Sequence, residues 1–411
     1  MIKGRALVAH AVNEPFKLED IEIDSSQLLD DEAVVKYKCS GICHTDTSVW
    51  QGVLPFAFPN ILGHEGGGKI EVLPKNYSGP LKVGDTVVLS FNMCKNCAHC
   101  RDGYPAGCDM FLPINFGGLR SNQTAFKTKT ASGTEVFTGF FGQSSFASHG
   151  IVAMNSILKV DPSTPLEQVC AFGCGIQTGF GTVLNTLLPN IQPRNFSHLP
   201  SINDLGLPVS SSLLNGTSKP HQPQTLAIFG LGAVGMGAVV AGHLAKDIIE
   251  RVVVIDLVDT RLKMAQQAGA THLINASGKS PEQIVEEIKQ ASVDGRGATI
   301  SFEATGVPAV LTNAINCLAP RGRCAMAGAA PAGHKIDCDV STLLLQQWSI
   351  AGMIEGDSDP EILIPYMLAQ TKRGAFDIMT QLVKTYKPEE IDQAMKDAKS
   401  GQVVKPVIVW D

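Results

Sequence analysis

No apolar run in this chain approaches the roughly 20 residues that a membrane-spanning helix needs. Basic residues are not in excess either: 33 Lys and Arg against 39 Asp and Glu leave a net charge of −6. That removes the electrostatic case for nucleic acid or an anionic membrane as partner. The opening stretch, MIKGRALVAHAVNEPF, lacks an apolar core followed by a small-residue cleavage site, so no secretory leader is expected. No internal repeat is visible. These absences point to a soluble cytoplasmic protein. Cysteine is used sparingly outside one segment, and in a reducing compartment clustered thiols point to metal before disulfides.

With 411 residues, 44% of them apolar, the chain has room for two or three domains with sizeable cores. Residues 1–178 are rich in short strand-like runs, EAVVKYKC, KIEVL, DTVVLS and IVAMN, bounded by Gly, Pro and Asp. They read as a barrel-like or sandwich domain with long loops. From residue 179 the pattern changes. TLAIFGLGAVGMGAVVAGHLA and ERVVVIDLVDTRLKMAQQAGATHLIN alternate apolar strands with helix-like segments, and GATISFEATG and GRCAMAGAA add buried-strand candidates. Such alternation implies a parallel sheet with helices on both faces, here over 179–354. Residues 355–411 return to mixed character and end in the strand-like VVKPVIVW. Within the second region, residues 189–224 hold six prolines and six serines without a period. They read as an inserted loop, disordered or serving as a lid or an oligomer contact.

AIFGLGAVGMG places Gly230, Gly232 and Gly235 in G-x-G-x-x-G spacing after an apolar strand and at the opening of a small-residue helix. The first glycine permits the tight turn, the second lets backbone approach a pyrophosphate, and the third lets helix and strand pack closely. The free N–H groups of the helix start then face the phosphates. A second strand, VVVID, ends at Asp256, where an acid would grip the ribose hydroxyls. An acid there repels a 2′-phosphate, so NAD is favoured over NADP.

Cys94, Cys97, Cys100 and Cys108 follow C-x2-C-x2-C-x7-C spacing. Four thiolates on one short loop can close a tetrahedral zinc site with no position left for water, which makes it structural. An iron–sulfur cluster or two disulfides are the alternatives that the spacing leaves open. Three further donors stand apart: Cys43 in SGICHTDTSVWQG, His64 in LGHEGGGKI and Cys174 in AFGCGIQTGFG. Two cysteines, one histidine and an open fourth position make a catalytic zinc site.

Taken together, GICHTD, GHEGGG, the four-cysteine lobe, GCGIQTGFG, GLGAVG with its acid, and FEATG resemble the zinc-dependent medium-chain alcohol dehydrogenases. The motifs run in that family's order over nearly the whole chain, the 189–224 insertion excepted. LSFNMC and GMIEGDS are locally similar to its aryl (benzyl-type) branch. The resemblance implies an α/β protein: a GroES-like β-rich catalytic domain over 1–178, rejoined by 355–411, and a Rossmann doubly wound parallel-sheet domain over 179–354. The active site would lie in the cleft between them. Two Zn²⁺ per chain are implied, one catalytic on Cys43, His64 and Cys174 and one structural on the four-cysteine lobe, with NAD as cofactor.

The same resemblance implies roles by position. Asp46 would orient the histidine ligand, Glu65 would approach the metal transiently, and Thr45 would pass the substrate proton onward. His44 and Lys405 would lie near the phosphates, Arg261 near the adenosine ribose, and Val234 against the cofactor. Two positions depart from the family pattern. Ser48 stands where well-known members carry a histidine at the outer end of the proton relay, so water would finish it. Ser90 replaces a pocket aromatic, which implies a roomier pocket, with Trp50 as a candidate lining residue. The implied reaction is hydride transfer between a primary or secondary alcohol, aryl alcohols included, and NAD, or reduction of the matching aldehyde or ketone. A homodimer or homotetramer is the implied assembly. The competing readings are a same-fold NAD(P)H reductase of an enone or iminium, and a non-catalytic binding protein on a dehydrogenase fold.

Overall fold

The computed structural model describes residues 1–188, 224–330 and 333–410. The inserted loop lies outside the described residues, except that Gln224 already opens a strand. The chain separates into two compact units, Met1–Thr178 with Gly232–Gly237 and Asp357–Asp411, and Gly179–Leu231 with Ala238–Gly356.

In the first unit, strands Ile2–Ala9, Lys17–Ile23, Lys127–Thr130, Glu135–Phe137 and Asn60–Ile61 close a small barrel. The period-two logic of a half-buried strand is plain in KTKT, where Lys127 and Lys129 face out and Thr128 and Thr130 face in. A second sheet runs in the spatial order Ile157–Lys159, Thr86–Leu89, Gly66–Val72, Glu32–Gly41, Lys405–Val409, Val383–Tyr386, with His149–Ala153 also paired to Glu32–Gly41. The runs expected to be strands, EAVVKYKC, KIEVL, DTVVLS and IVAMN, all lie in this sheet. Lys405–Val409 lies antiparallel on Cys39–Gly41, with Val407 opposite Gly41, and the Ile42 N–H donates to the Pro406 carbonyl (2.9 Å). The residues after 400 therefore complete the strand end from which Cys43 projects.

The core of this unit holds Phe91, Phe111, Phe140, Phe141 and Phe146, all buried. Phe111 comes from the four-cysteine lobe and meets Phe91 at 5.8 Å and Phe141 at 6.2 Å between ring centroids. The lobe is thus tied to the main core by an aromatic side chain as well as by its cysteines.

The second unit is built on six parallel strands in the order His272–Asn275, Ile249–Asp256, Gln224–Phe229, Ala298–Glu303, Leu318–Met326, Ser349–Gly352. QTLAIF is buried at every position, as a strand covered by helices on both faces must be. The order reverses between Gln224–Phe229 and Ala298–Glu303, and such sheets bind ligands outside the carboxyl ends of the strands at this switch point. Helix Pro281–Ala291 shows how locally consistent the unit is. Ser280 and Gln283 form a reciprocal capping box, and Ile284 and Ile288 are buried one turn apart. This is the doubly wound α/β sheet that the alternating pattern implies. Among the described residues no helix is long and apolar enough to cross a membrane.

Candidate active site

Strand Glu32–Gly41 delivers Cys43 to the start of helix His44–Trp50. Asp46, in the first turn of that helix, is buried and uses both oxygens. The Cys43 N–H donates to Oδ2 (2.9 Å), while the Gly63 N–H and His64 Nδ1 lie 3.0 Å from Oδ1. One carboxylate therefore fixes the backbone at one cysteine and the ring of the histidine. With the proton on Nδ1 shared to Asp46, Nε2 is left to act as a lone-pair donor.

Cys174 arrives at the end of the short helical turn Cys170–Gly173. A side-chain Cβ at Gly173 would stand 1.9 Å from the Leu89 carbonyl oxygen, so only glycine lets this turn sit directly on the neighbouring strand. Cys43 Sγ and Cys174 Sγ are 4.0 Å apart, and both thiols and a His64 ring nitrogen lie within 4.8 Å of one another. Two sulfurs bound tetrahedrally at about 2.3 Å from one zinc would be about 3.8 Å apart, whereas a disulfide needs about 2.05 Å. His64 Nε2 is buried without a hydrogen-bond partner, an unusual state for a polar atom and one that a bound cation would end. The donor set therefore fits zinc. Three protein donors rather than four leave a position for an exchangeable ligand.

The electrostatics of Cys43 agree with the geometry, while those of His64 favour the protonated ring until a cation displaces the Nε2 proton. Hydrogen bonding with Cys174, helped by the charges of His64 and Lys405, holds the Cys43 thiol well below the ordinary thiol range in spite of burial. Burial weighs against charge on His64, but Asp46 and Cys43 outweigh it and hold the imidazole above its usual value. Such a thiol is poised as a thiolate, the form that binds metal.

Glu65 and Lys405 form a buried pair beside this cluster. Lys405 Nζ donates to Glu65 Oε1 (2.9 Å), Glu65 Oε2 (2.8 Å) and the Ile42 carbonyl (3.0 Å). Those three contacts match the three donors of an ammonium, so Glu65 and the Ile42 carbonyl take up the donors of Lys405. Glu65 in turn is not among the donors within metal-cluster distance of Cys43, His64 and Cys174. Thr45 Oγ1 lies 3.7 Å from Cys43 Sγ, and His44 is exposed beside it. Ser48 is buried, with its carbonyl accepting from the Val53 and Leu54 N–H groups. Trp50 stacks on Phe16 at 6.2 Å and donates to the Glu14 carbonyl, a packing role. Ser90 is fully buried and its hydroxyl donates to the Gly173 carbonyl at 2.8 Å. The small side chain is thus taken up by internal bonding, and Ser90 itself opens no room.

The lobe cysteines converge as well. All four sulfurs lie within 4.8 Å of one another, and Cys94 Sγ to Cys100 Sγ is 3.9 Å, which excludes a disulfide and suits four thiolates on one zinc. The N–H groups of Asn96 and Cys97 donate to Cys94 Sγ, and that of Cys94 to Cys108 Sγ. Backbone donors from Asp109 and Cys100 bring the Cys97 thiol down to about 6.

On the parallel sheet, Gly230 adopts φ +88°, and a Cβ there would meet the Thr305 methyl at 2.5 Å. Its turn is held by Asp256, whose Oδ2 accepts from the Leu231 N–H (2.7 Å) and whose Oδ1 accepts from the Val258 N–H (2.9 Å). A Cβ on Gly232 would meet nothing within 4 Å, the open backbone approach that a pyrophosphate needs. Helix Ala233–Leu244 follows, with Val234 half-buried and Gly235 buried in its first turn. Further along this helix a Cβ at Gly242 would come within 2.9 Å of Leu226 and 3.0 Å of Val252, so helix and sheet pack closely there. Arg261 Nε is buried without a hydrogen-bond partner among the described residues.

Reading from sequence missed the segment Phe140–Gln143. Phe141 stacks on His64 (4.6 Å, 26°), Phe140 meets the same ring edge-on (5.4 Å, 87°), and Gln143 Nε2 donates to the His64 carbonyl at 2.9 Å.

The comparisons with known proteins converge on the same chemistry. Residues 29–157 match the family model of the alcohol dehydrogenase GroES-like domain, and residues 233–369 that of the zinc-binding dehydrogenase. The geraniol dehydrogenase of Castellaniella defragrans is 33% identical over 409 residues, covering 100% of this chain and 98% of its own. An alcohol dehydrogenase zinc-binding domain protein of Burkholderia ambifaria superposes with a TM-score of 0.85 at 35% identity, covering 100% of this chain and 99% of that one. The benzyl alcohol dehydrogenase of Acinetobacter calcoaceticus superposes with a TM-score of 0.83 at 33% identity, with both chains covered in full.

Proposed function

The chain belongs to the zinc-dependent medium-chain alcohol dehydrogenase family, and from that premise we propose that it oxidises primary alcohols whose carbinol carbon adjoins an aromatic ring or a carbon–carbon double bond. NAD is the hydride acceptor, and the reverse reaction reduces the matching aldehyde. The observation that carries the reading is the convergence of Cys43, His64 and Cys174 around an unpartnered His64 Nε2. The substrate class is supported by two relatives of this chain, both 33% identical, named for geraniol and for benzyl alcohol, substrates that share a π system beside the reacting carbon. It is supported too by the phenyl-rich surroundings of His64, where Phe56 and Phe116 pack on Phe140.

Cys43, His64 and Cys174 would hold the catalytic zinc, and Cys94, Cys97, Cys100 and Cys108 the structural one. When bound, zinc lowers the pKa of an alcohol hydroxyl and NAD supplies the hydride acceptor. Asp46 keeps the proton on His64 Nδ1. Thr45 Oγ1 accepts the substrate proton and passes it to water beside the exposed His44. Phe140 and Phe141 keep water from the imidazole. Gly230, Gly232 and the helix start at Val234 and Gly235 would receive the pyrophosphate, with Asp256 on the ribose hydroxyls and Arg261 beside the adenosine ribose. With every catalytic ligand in place, an enone or iminium reductase and a non-catalytic protein are both less favoured. A panel of benzylic, allylic and saturated alcohols, each with NAD and NADP, tests the reading. No NAD-dependent turnover of any π-activated alcohol would refute it.

We also infer a homodimer along the Ser349–Gly352 strand. That strand ends the parallel sheet, paired on one side to Leu318–Met326. The helix before it exposes Val340, Leu344 and Leu345 at 74–77%, an apolar surface of the kind that partners cover. Light scattering on Leu345→Glu checks this: the variant should run at half the wild-type mass.

A further inference from the structure

We propose that Gln143 is a positioning residue for the catalytic metal, because its side-chain amide ties the peptide of the imidazole ligand to the segment that carries the second cysteine ligand. This rests on the reading of Cys43, His64 and Cys174 as a metal site.

Gln143 is fully buried, and every function of its amide is in use. Nε2 donates to the His64 carbonyl (2.9 Å) and the Ser90 carbonyl (3.1 Å), and Oε1 accepts from the Gly66 N–H (3.0 Å). Its bonds thus bracket Glu65, holding the backbone on both sides of it. Its own backbone is fixed in turn: the Tyr37 hydroxyl donates to its carbonyl (2.7 Å), and its N–H donates to the Phe140 carbonyl (3.1 Å).

Ser90 is the common anchor. Its carbonyl is bound to Gln143, and its hydroxyl donates to the Gly173 carbonyl at 2.8 Å. Gln177 Nε2 donates to the same Ser90 hydroxyl (2.8 Å) and the same Gly173 carbonyl (2.7 Å). Gly173 is the residue before Cys174. A continuous path of buried hydrogen bonds therefore runs from the His64 peptide through Gln143 and Ser90 to the Cys174 peptide, and it crosses no solvent-exposed group.

The loop that supplies Gln143 also grips the ring. Phe141 and Phe140 contact it as described, and Phe141 does so from a left-handed backbone (φ +53°), a conformation kept only where surroundings enforce it. Asp46 fixes one nitrogen of the imidazole, and the phenyl rings fix its plane. Neither fixes where the His64 peptide stands relative to Cys174; the amide does so, alongside the Gly175 N–H, which donates to Glu65 Oε1 at 3.3 Å. Only an amide offers two donors and an acceptor in one plane. A carboxylate of the same shape would set oxygen against two carbonyls, and a thioether would leave both carbonyls and the Gly66 N–H unpaired.

The test uses the full-length zinc-loaded protein with Gln143→Glu and Gln143→Met. Zinc per chain is measured after dialysis against graded chelator, and the catalytic site is exchanged with Co²⁺ for its visible spectrum. Both variants should release the catalytic metal about 10- to 100-fold more readily than wild type, the range for residues supporting metal ligands. They should keep the structural zinc and show a shifted cobalt spectrum. The retained lobe zinc reports a folded chain, and Gln143→Glu, matched in volume, decides the matter if Gln143→Met is insoluble. Variants that hold both zincs as tightly as wild type, with an unchanged cobalt spectrum, would overturn the proposal. Wild-type protein that binds only one zinc would instead sink the metal-site reading beneath it.

Discussion

Lys405 Nζ sits 2.9 and 2.8 Å from the two carboxylate oxygens of Glu65, and both side chains are buried. Burial pushes Glu65 upward, the ammonium opposes that, and the carboxylate in turn raises Lys405 against its own desolvation. Deleting one member of such a pair costs about 3–5 kcal/mol, because the other is left charged and alone. Lys405→Met should therefore lower unfolding stability in urea by about that amount. The double variant Lys405→Met with Glu65→Leu should regain most of it. Equal stability of Lys405→Met and wild type would show that the pair contributes nothing.

Asp46 carries three hydrogen bonds, two of them to Cys43 and His64, the proposed metal ligands. Asp46→Asn keeps the volume, but the carboxamide's NH₂ group cannot accept from a donor that one of the carboxylate oxygens now serves. Catalytic-zinc affinity and kcat should fall about 10- to 100-fold, with lobe zinc unchanged. Metal analysis alongside steady-state kinetics reads both, and wild-type values would mean the acid does not orient His64.

Asp256 closes the glycine turn through two N–H contacts and ends its strand beside Gly230. Asp256→Asn removes the charge and keeps one acceptor. A charged hydrogen bond is worth about 1.5–3 kcal/mol, so kcat/KM for NAD should drop roughly 10- to 100-fold while that for NADP rises. An unchanged NAD to NADP ratio would remove Asp256 from cofactor selection.

Asp397 offers a pH test on groups other than the proposed zinc ligands. The Tyr386 hydroxyl, then Lys384 and Gln393, hydrogen-bond its carboxylate and hold it at about 2. A carboxyl depressed in the folded state stabilises above its ordinary pKa of about 3.9 and loses that contribution as pH falls toward the folded value. Asp397→Asn should thus melt below wild type at neutral pH, with the gap closing between about pH 4 and pH 2. Parallel thermal melts across that window check it; a gap independent of pH would point to packing rather than charge.

The proposed metal ligands were legible because coordination chemistry restricts which residues can serve, so Cys43, His64 and Cys174 stand out as letters. The parallel sheet was legible because QTLAIF and VVVID are apolar on both faces, with turns at the right places. Gln143 and Ser90 were not: they act through backbone carbonyls, which every residue has, and nothing in FGQSSF marks an amide that reaches back to residue 64. The pairing of Lys405 with Glu65 was not legible for a related reason. It depends on the register of Lys405–Val409 against Cys39–Gly41, a long-range pairing that no local pattern encodes. Ser90 was read by its size, whereas its hydroxyl is what matters.

That pairing has a bearing on synthesis. The Ile42 carbonyl finds its ammonium partner 363 positions further along the chain, so the neighbourhood of Cys43 cannot be finished until Lys405 has been made. Until then Cys43 lacks that shelter, and a zinc donor acting after Lys405 has emerged would meet the cysteine at the moment when its shelter closes.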